Sequence, residues 1–337
     1  MTRTIAVFSN RQGVGNSSLV YHLAWMYREL GLSVIAADLD PQAGLTSMFL
    51  DEDRINDLWD DPSRPTVSAV LESLLGSGNG DIRAPHVEEV ASGLGLLVGD
   101  VSLSSLESEF ELSCGRGEDG YPINRLDAFW RMIESATRTH HVQVLLIDLG
   151  QNLGAISRAA LAAAEHIVIP LAPDIFSLRA LERLGPKLRA WQEEWEARRC
   201  QIPPGKITFG AMCPVGYTLL NRAARIGKAA DARWRRTVAR ITATYHQAFL
   251  EDLASVPRSV ADDPHCLAVL KPYNSLMDLA GQARKPMFLL TAADGAIGGH
   301  AQAVRECYSD FRTLALKIVS RAGVDLLSPD ASGVRGR

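Results

Sequence analysis

Residues 4–18 read Thr-Ile-Ala-Val-Phe-Ser-Asn-Arg-Gln-Gly-Val-Gly-Asn-Ser-Ser, and this stretch decides the fold. Its first five residues predict a short buried strand. A helix is predicted from about Ser17 to Leu30, and Gly31 ends it. A loop with glycines between a strand and a helix is typical of phosphate binding, because its N–H groups and the helix N-terminus face one point. The predicted phosphate-binding residues are Gly13, Val14, Gly15, Asn16, Ser17 and Ser18.

One position of this loop departs from the Walker A pattern. That pattern carries lysine immediately before the serine or threonine whose hydroxyl reaches Mg²⁺. Here Asn16 takes the place of the lysine, and Ser17 is the serine. Losing one charge-assisted hydrogen bond costs about 1.5–3 kcal/mol, or about 10- to 150-fold in affinity. The loss is larger where charge develops in a transition state. We therefore expect weakened nucleotide binding and slow or absent hydrolysis.

Outward from the loop, apolar runs recur with helical patterns between them. Strands are predicted at 34–37, 94–98, 144–147, 167–169, 207–212 and 254–256, and helices at 103–112 and 124–138. This alternation predicts an α/β fold with a doubly wound, mostly parallel sheet and helices on both faces. Ligands of such sheets bind at the carboxyl ends of the strands. Asp40 and Asp148 each follow a predicted strand, so we predict both as site residues.

Composition sets the class of protein. The chain has 337 residues, 47% hydrophobic and 22% charged, with a formal net charge of −4. These values exclude a disulfide-dependent miniprotein and wholesale disorder. The five cysteines form no CxxC pair, which predicts reduced thiols. No apolar run reaches the roughly 18 residues of a membrane span, and residues 3–8 lead into the loop without a signal peptide. We expect a cytoplasmic protein.

A single domain is predicted over residues 1–325. It includes a variable insertion at 51–92, whose acidic part, 51–65, is expected to be a solvated loop. A basic and C-terminal subregion covers 200–300, and its glycine-containing part, 271–300, is expected to be an ordered loop near a site or interface, without assigned chemistry. Residues 326–337 are predicted to be a disordered tail.

Three further motifs carry a resemblance. Asp38-Leu39-Asp40-Pro41-Gln42 follows the second strand, and Asp148-Leu149-Gly150-Gln151-Asn152 follows the run 144–147. Ile167-Val168-Ile169-Pro170-Leu171-Ala172-Pro173-Asp174 comes next. With the glycine loop, and in this order, these motifs resemble the ParA/MinD family of deviant-Walker ATPases over residues 4 to about 290. The resemblance is greatest to the ParA branch.

The resemblance implies roles for particular residues. Arg11 falls at the lysine that reaches the partner's phosphate across a nucleotide-bridged homodimer, and arginine keeps that charge. Asp40 matches a carboxylate that positions the attacking water, and Asp148 matches an aspartate that holds Mg²⁺. Gly150 matches a position that senses the terminal phosphate. The implied cofactors are ATP or ADP with Mg²⁺, and the implied metal-site residues are Ser17, Asp40 and Asp148. Contacts to adenine are implied near 212–214 and at Pro257-Arg258.

ParA relatives also bind DNA through surface lysine and arginine. Basic residues cluster between 200 and 240, where Asp231 is the one acidic residue. The predicted DNA-binding residues are Arg222, Arg225, Lys228, Arg233, Arg235, Arg236 and Arg240. A solvated helix face remains the alternative for this cluster. Trp234, among the arginines, is expected to pack rather than stack on a base.

The leading hypothesis is a ParA-like switch that dimerises around nucleotide, binds DNA non-specifically and positions a plasmid, chromosome region or other cargo. A ParB-like or other adaptor is the expected partner. A membrane partner is not expected, because the amphipathic residues 303–321 are predicted to pack on the domain. The alternative is a pseudo-ATPase that serves as a scaffold or regulatory subunit, which Asn16 and Gln12 favour. Retention of Arg11, Ser17, Asp40 and Asp148 favours the switch.

Overall fold

The computed structural model describes residues 2–76, 84–114, 128–199, 210–220, 228–252 and 254–324. Within them, eight strands form one sheet: β1 Arg3–Val7, β2 Val34–Leu39, β3 Val87–Ala91, β4 Leu94–Leu97, β5 Val144–Leu149, β6 His166–Leu171, β7 Cys213–Leu220 and β8 Cys266–Leu270. Their order is β3-β4-β2-β5-β1-β6-β7-β8. Every neighbouring pair is parallel except β3 and β4. The predicted fold class is confirmed.

Helices cover both faces of the sheet. They are α1 Asn16–Glu29, α2 Gly44–Phe49, α3 Glu52–Trp59, α4 Val67–Gly76, α5 Glu107–Cys114, α6 Ala128–His140, α7 Ala155–Ala162, α8 Ile175–Arg199, α9 Lys228–Tyr245, α10 Asn274–Ala283 and α11 Gly299–Arg321. A π-helical turn, His246–Leu250, continues α9. Short 3-10 helices lie at Val101–Leu106, Met287–Leu289 and Ala292–Asp294.

Each face of the sheet has its own apolar core. On one face, residues of α4 and α6–α9 pack together with Phe8 and Phe110. On the other face, α1 and α11 pack side by side and bury Met26 and Leu314. β2 and β5 are buried along their whole length, as expected of central parallel strands. The predicted packing of residues 303–321 on the domain is confirmed, because α11 buries one side against this core.

The acidic segment 51–65 is partly helical, so the prediction of a loop was wrong there. α3 begins after Asp51, whose side chain accepts a hydrogen bond from the Arg54 N–H at 2.8 Å. Glu52 and Asp53 then occupy the first turn, where negative charge stabilises a helix. Ile55 and Leu58, three residues apart, are buried, and Leu58 belongs to the core that α1 and α11 share. The cap and this apolar pair outweigh the charge density of the segment.

Two predicted strands were displaced. Of the predicted strand 207–212, residues 207–209 lie outside the described residues and 210–212 are not strand; β7 begins at Cys213. Residues 254–256 are likewise not a strand, and the last strand is β8. Pro214 is the second residue of β7, and the register shifts between Ile167 and Val168 of the neighbouring strand. A proline and a bulge at the start of a strand hide its pattern in the sequence.

Some of the remaining predictions fall partly or wholly outside the described residues. The predicted helix 103–112 is a 3-10 helix followed by α5, and residues 124–127 of the predicted helix 124–138 lie outside the described residues. Residues 326–337 also lie outside them. β3, which pairs antiparallel with β4, was not predicted. Among the described helices, none combines the length and the apolar character needed to cross a membrane.

Candidate functional site

The glycine loop joins β1 to α1. Gly13 and Gly15 have φ angles of 72° and 83°, values that glycine adopts without strain. Gly15 is the N-cap of α1, so the N-terminus of the helix has no side-chain cap. Gln12 is exposed and has no positive φ, so its side chain replaces a glycine without strain in the backbone. The free N–H groups of α1 therefore face an anion site.

Asn16 is turned toward the loop's own backbone. Its side chain is buried, and Nδ2 lies 3.4 Å from the Ser9 carbonyl oxygen, at the long end for a hydrogen bond. Its Oδ1 is buried and has no partner among the described residues. An amide in this position brings a partial negative oxygen and no net positive charge to the place that phosphates would occupy.

Three aspartates lie at the carboxyl ends of adjacent strands, at the same edge as the loop. Asp38 of β2 is in register with Asp148 of β5, and Val7 of β1 is in register with Asp148 as well. Asp40 follows β2, and a methyl group built on Gly150 would lie 3.0 Å from Asp40 Oδ1. The fold thus brings the predicted residues Asp40, Asp148 and Gly150 together beside the loop.

Asp38 is a member of this site that the sequence analysis did not assign. Its Oδ2 accepts hydrogen bonds from the Thr46 N–H at 2.7 Å and the Thr46 hydroxyl at 2.8 Å. Burial raises the pKa of Asp38 to about 6, and the hydrogen bonds from Thr46 offset part of that rise. A carboxylate at the end of an otherwise apolar strand was the signal that could have identified it.

Asp148 is buried, and its two carboxylate oxygens lack hydrogen-bond partners of ordinary geometry among the described residues. Burial, followed by the charge of Asp38, raises the pKa of Asp148 well above its usual range, and the nearby Ser17 hydroxyl offsets a smaller part. A buried, unpartnered carboxylate beside a serine hydroxyl fits a hard divalent cation such as Mg²⁺, which binds through oxygen.

Arg11 is paired with a fourth aspartate, Asp174, rather than with the three at the strand ends. Its Nη2 donates to Asp174 Oδ2 at 3.0 Å, and its guanidinium lies 5.0 Å from the centre of the Phe176 ring. Phe176 and Ile175 are 64% and 46% exposed. Arg11 therefore sits at the rim of the site, beside an exposed apolar pair.

A cavity of about 210 Å³ opens beside the loop, and we call it the loop cavity. Gly13, Val14, Gly15, Ser18 and Leu19 line one wall, and residues 270–274 with Leu220 line the other. Leu220 and Leu270 are the last residues of β7 and β8. The carboxyl ends of both strands therefore face the loop. Pro257 was chosen because it follows the predicted strand 254–256, and it is not among the lining residues. Met212–Pro214 lie at the opposite end of β7.

His22 connects the loop to the C-terminal part of the chain. Its Nδ1 donates to the Ser18 carbonyl oxygen at 2.7 Å, and its Nε2 accepts from the Met287 N–H at 3.2 Å. Burial lowers the pKa of His22 to about 4, so the ring is neutral and can make both bonds. The ring stacks on Phe311. The segment 271–300 thus borders the start of α1, as expected, but it contains α10 and two 3-10 helices, so the prediction of a loop was wrong.

The predicted basic residues are only partly described. Arg222 and Arg225 lie outside the described residues, and Lys228 is the first residue of α9. The side chains of Arg233, Arg235, Arg236 and Arg240 are exposed. Spacings of three and seven place Arg233, Arg236 and Arg240 on one face of the helix. Trp234 is half-buried against the core, as expected.

Comparison with known proteins is consistent with this geometry. A family model described as AAA domain matches residues 2–200. A ParA family protein of Chlamydia trachomatis is 27% identical over 251 residues, which cover 72% of this chain and 88% of that protein.

Two solved structures share the fold across nearly the whole chain. Protein DIP2308 from Corynebacterium diphtheriae has a TM-score of 0.65 at 20% identity and covers 95% of this chain and 98% of that one. A putative plasmid partition protein from Borrelia burgdorferi, bound to AMPPNP, has a TM-score of 0.55 at 13% identity, with coverages of 95% and 99%.

Proposed function

The chain belongs to the AAA domain family, and from that premise we propose that it is a ParA-like switch that binds nucleotide, dimerises, and helps position a DNA or other cargo. The observation that carries the proposal is the glycine loop facing buried, unpartnered Asp148 at one edge of the sheet. The names of a ParA relative and of a plasmid partition protein with the same fold support it. The proposed location is the cytoplasm, at the nucleoid.

Each part of the site has a proposed role. Residues 13–18 bind the phosphates through backbone N–H groups, and the loop cavity takes the base and ribose. Ser17 and Asp148 hold Mg²⁺, with Asp38 behind them; the cation neutralises phosphate charge when it is bound. Asp40, which lies beside Gly150, would orient a water molecule toward a bound terminal phosphate. Because Asn16 adds no positive charge, we propose that hydrolysis is slow or absent.

Arg11 is proposed to act on the nucleotide of a second copy of the chain. Its present partner is Asp174, so the Arg11–Asp174 pair must open for that role. The exposed Ile175 and Phe176 beside Arg11 are apolar surface that a second copy would cover. Exposed apolar side chains beside a charged residue that is proposed to reach the second copy are consistent with an interface between copies. An adaptor of ParB type is the proposed partner of the dimer.

The switch predicts a change of mass with nucleotide. We expect the full-length protein to be monomeric with Mg–ADP and to double its mass with Mg–ATP, measured by light scattering after size exclusion. Asp40→Ala, in which water is not positioned, should retain the dimer longer. Arg11→Ala should bind Mg–ATP and remain monomeric, because the charge that reaches the partner's phosphate is gone.

Arg28→Ala is the matched control, since Arg28 pairs with Glu29 on the surface of α1. We expect it to dimerise like the unmodified protein. Mg–ATP binding without a change of mass would rule out the switch. A protein that binds no nucleotide, while Asn16→Lys does, would favour the alternative of a pseudo-ATPase scaffold. The observation behind that alternative is the buried Asn16 amide.

The second proposed activity is non-specific DNA binding by α9. Three Glu substitutions, at Arg233, Arg236 and Arg240, are expected to abolish binding at 50 mM salt and to lower the salt dependence of the affinity by about three phosphate contacts. Fluorescence anisotropy with a random duplex, titrated with salt, measures both. Glu at the exposed Arg138, Arg305 and Arg312 gives the same change of net charge elsewhere and should weaken binding far less. Equal loss in both triple variants would mean that only net charge matters.

A further inference from the structure

One charged side chain lies in the wall of the loop cavity that is opposite the glycine loop. Among the described residues that line this cavity, Lys271 alone carries a charge. It directly follows Leu270, the last residue of β8, so it lies at the same edge of the sheet as the loop. Residues 13–18 contain no cation, and Asn16 stands where the Walker A pattern has lysine. A ligand bound to the N–H groups of this stretch therefore finds its nearest lysine in the opposite wall.

Lys271 and its neighbour Tyr273 are both tied to α11. Lys271 Nζ donates to Glu306 Oε2 at 2.7 Å. The other oxygen of Glu306 accepts a hydrogen bond from Gln302 Nε2 at 3.1 Å. The Tyr273 hydroxyl donates to Asp310 Oδ2 at 2.6 Å. Two acidic residues four positions apart, and so on one face of α11, hold residues 271–273 in place.

The ion pair between Lys271 and Glu306 can open at small cost. The two side chains are 53% and 41% exposed. Water screens the charges of such a pair, so it contributes little to stability. A phosphate group offers several charged oxygens and forms strong charge-assisted hydrogen bonds with lysine. Lys271 can therefore exchange the carboxylate for a phosphate, while the bond from Tyr273 to Asp310 keeps this wall of the cavity in position.

We propose that Lys271 binds a phosphate group of the nucleotide in place of the missing loop lysine, and that Glu306 competes with this phosphate for Lys271. The inference rests on the proposed nucleotide-binding function and specifies how that site is regulated. Competition arises because the carboxylate and the phosphate need the same ammonium group. Nucleotide binding therefore opens the Lys271–Glu306 pair, and closure of the pair favours release of the nucleotide.

Calorimetric titration of the full-length protein with Mg–ATP tests the role of Lys271. Lys271→Met keeps an unbranched side chain and removes the charge, and we expect about tenfold weaker binding. Lys271→Arg keeps the charge and should retain most of the affinity. Lys285→Met is the matched control, because Lys285 also pairs with an acidic residue, Asp294, but lines the neighbouring cavity. This control should bind Mg–ATP like the unmodified protein.

Glu306→Gln tests the competition. Glutamine retains an oxygen that can accept the hydrogen bond from Gln302, but it does not pair with the lysine. Mg–ATP should therefore bind about two- to fivefold more tightly, because the pair no longer has to open. In a Lys271→Met background the same substitution should have little effect. The two single variants and the double variant form a double-mutant cycle, whose coupling measures the competition.

Equal affinity of Lys271→Met and the unmodified protein for Mg–ATP would overturn the inference and leave the proposed function standing. So would the absence of a gain from Glu306→Gln. An equal gain with and without Lys271 would overturn it too, since Glu306 would then act on the ligand through its charge alone. If the unmodified protein bound no Mg–ATP, the proposed function would fall and the inference with it. Thermal melting of each variant without ligand verifies that it is folded.

Discussion

Replacement of Asp263 by alanine is expected to lower the free energy of unfolding by about 3–5 kcal/mol, although Asp263 is remote from the glycine loop in the sequence. Asp263 is buried and lies just before β8. Its Oδ2 accepts a hydrogen bond from the Tyr217 hydroxyl at 2.5 Å. Its Oδ1 accepts from His246 Nε2 at 3.1 Å and from the His265 N–H at 2.9 Å.

The size of the effect follows from what alanine leaves behind. Two buried donors, the Tyr217 hydroxyl and His246 Nε2, and the part-buried His265 N–H lose this acceptor at once. Each buried group left unsatisfied costs about 1–3 kcal/mol. Burial and the hydrogen bond to Asp263 raise the pKa of Tyr217 above its usual range, so the hydroxyl stays a donor. The Thr242 hydroxyl lies 2.9 Å from the Tyr217 hydroxyl and extends the network to α9. The network therefore joins β7, α9 and the start of β8.

Urea unfolding followed by circular dichroism measures the loss. Asp262→Ala is the matched control, because Asp262 is exposed and its carboxylate accepts a hydrogen bond from the nearby Ser259 hydroxyl. We expect it to lower the free energy of unfolding by less than about 1 kcal/mol. Tyr217→Phe removes one member of the network and should cost about 1–2 kcal/mol. If Asp263→Ala were no more destabilising than Asp262→Ala, the network would not stabilise this edge of the sheet.

The same network marks where prediction from the sequence fails. The unit β1–loop–α1, Asp40 after β2 and Asp148 at the end of β5 were predictable, because each depends on a local pattern of apolar residues, glycine and a polar residue. The start of β7 was not, because Pro214 and the irregular register disturb the pattern. β8 was misplaced for a different reason. Cys266–Leu270 is an apolar run that a local window does contain, but the run 254–256 was predicted as the last strand instead. The contacts of Asp263 with residues 17 and 46 positions away, which join the start of β8 to the rest of this network, lie outside any local window.

The residues of the candidate site likewise include some that were predicted and some that were missed. Gly13–Ser18, Asp40, Asp148 and Gly150 were predicted and lie together, whereas Asp38 and the loop cavity were missed. The cavity pairs residues 13–19 with residues 270–274, and only the completed sheet brings these segments together. Pro257 depended on the misplaced last strand, so the reason for choosing it no longer holds. Whether Asn16 weakens hydrolysis stays a prediction.

Asp148→Asn is expected to have opposite effects on stability and on ligand binding. Asp148 is buried beside Asp38, and its oxygens lack partners of ordinary geometry among the described residues. Its folded-state pKa is raised above the unfolded value, so the charged carboxylate opposes folding increasingly as the pH rises through the folded-state pKa. At pH 8 the neutral amide should therefore raise the stability of the ligand-free protein, by about 1–3 kcal/mol.

Ligand binding should change in the other direction. A ligand at a hundredfold excess over its dissociation constant raises the stability of the folded state by about 2.7 kcal/mol. Asparagine cannot supply the charged oxygen that a divalent cation needs, so the thermal shift with Mg–ATP should be lost in Asp148→Asn. A gain in stability at the cost of function is common where charges are buried for binding. Differential scanning fluorimetry with and without Mg–ATP measures both effects in one experiment.

Asp100→Asn is the control for Asp148→Asn, because it removes a negative charge outside the proposed cation site. The hydrogen bonds that Asp100 accepts from the Ser102 N–H at 2.7 Å and the Thr66 hydroxyl at 3.0 Å stabilise its charged form. Burial acts against them, but the pKa of Asp100 is still lowered, so neutralising it should lower the melting temperature and leave the Mg–ATP shift intact. The melting temperature without ligand therefore falls where the carboxylate is stabilised by hydrogen bonds, as in Asp100. It rises where the carboxylate lacks hydrogen bonds and would bind a cation, as in Asp148. A lower melting temperature for ligand-free Asp148→Asn would mean that Asp148 stabilises the fold, and the case for a cation at this carboxylate would lose its main support.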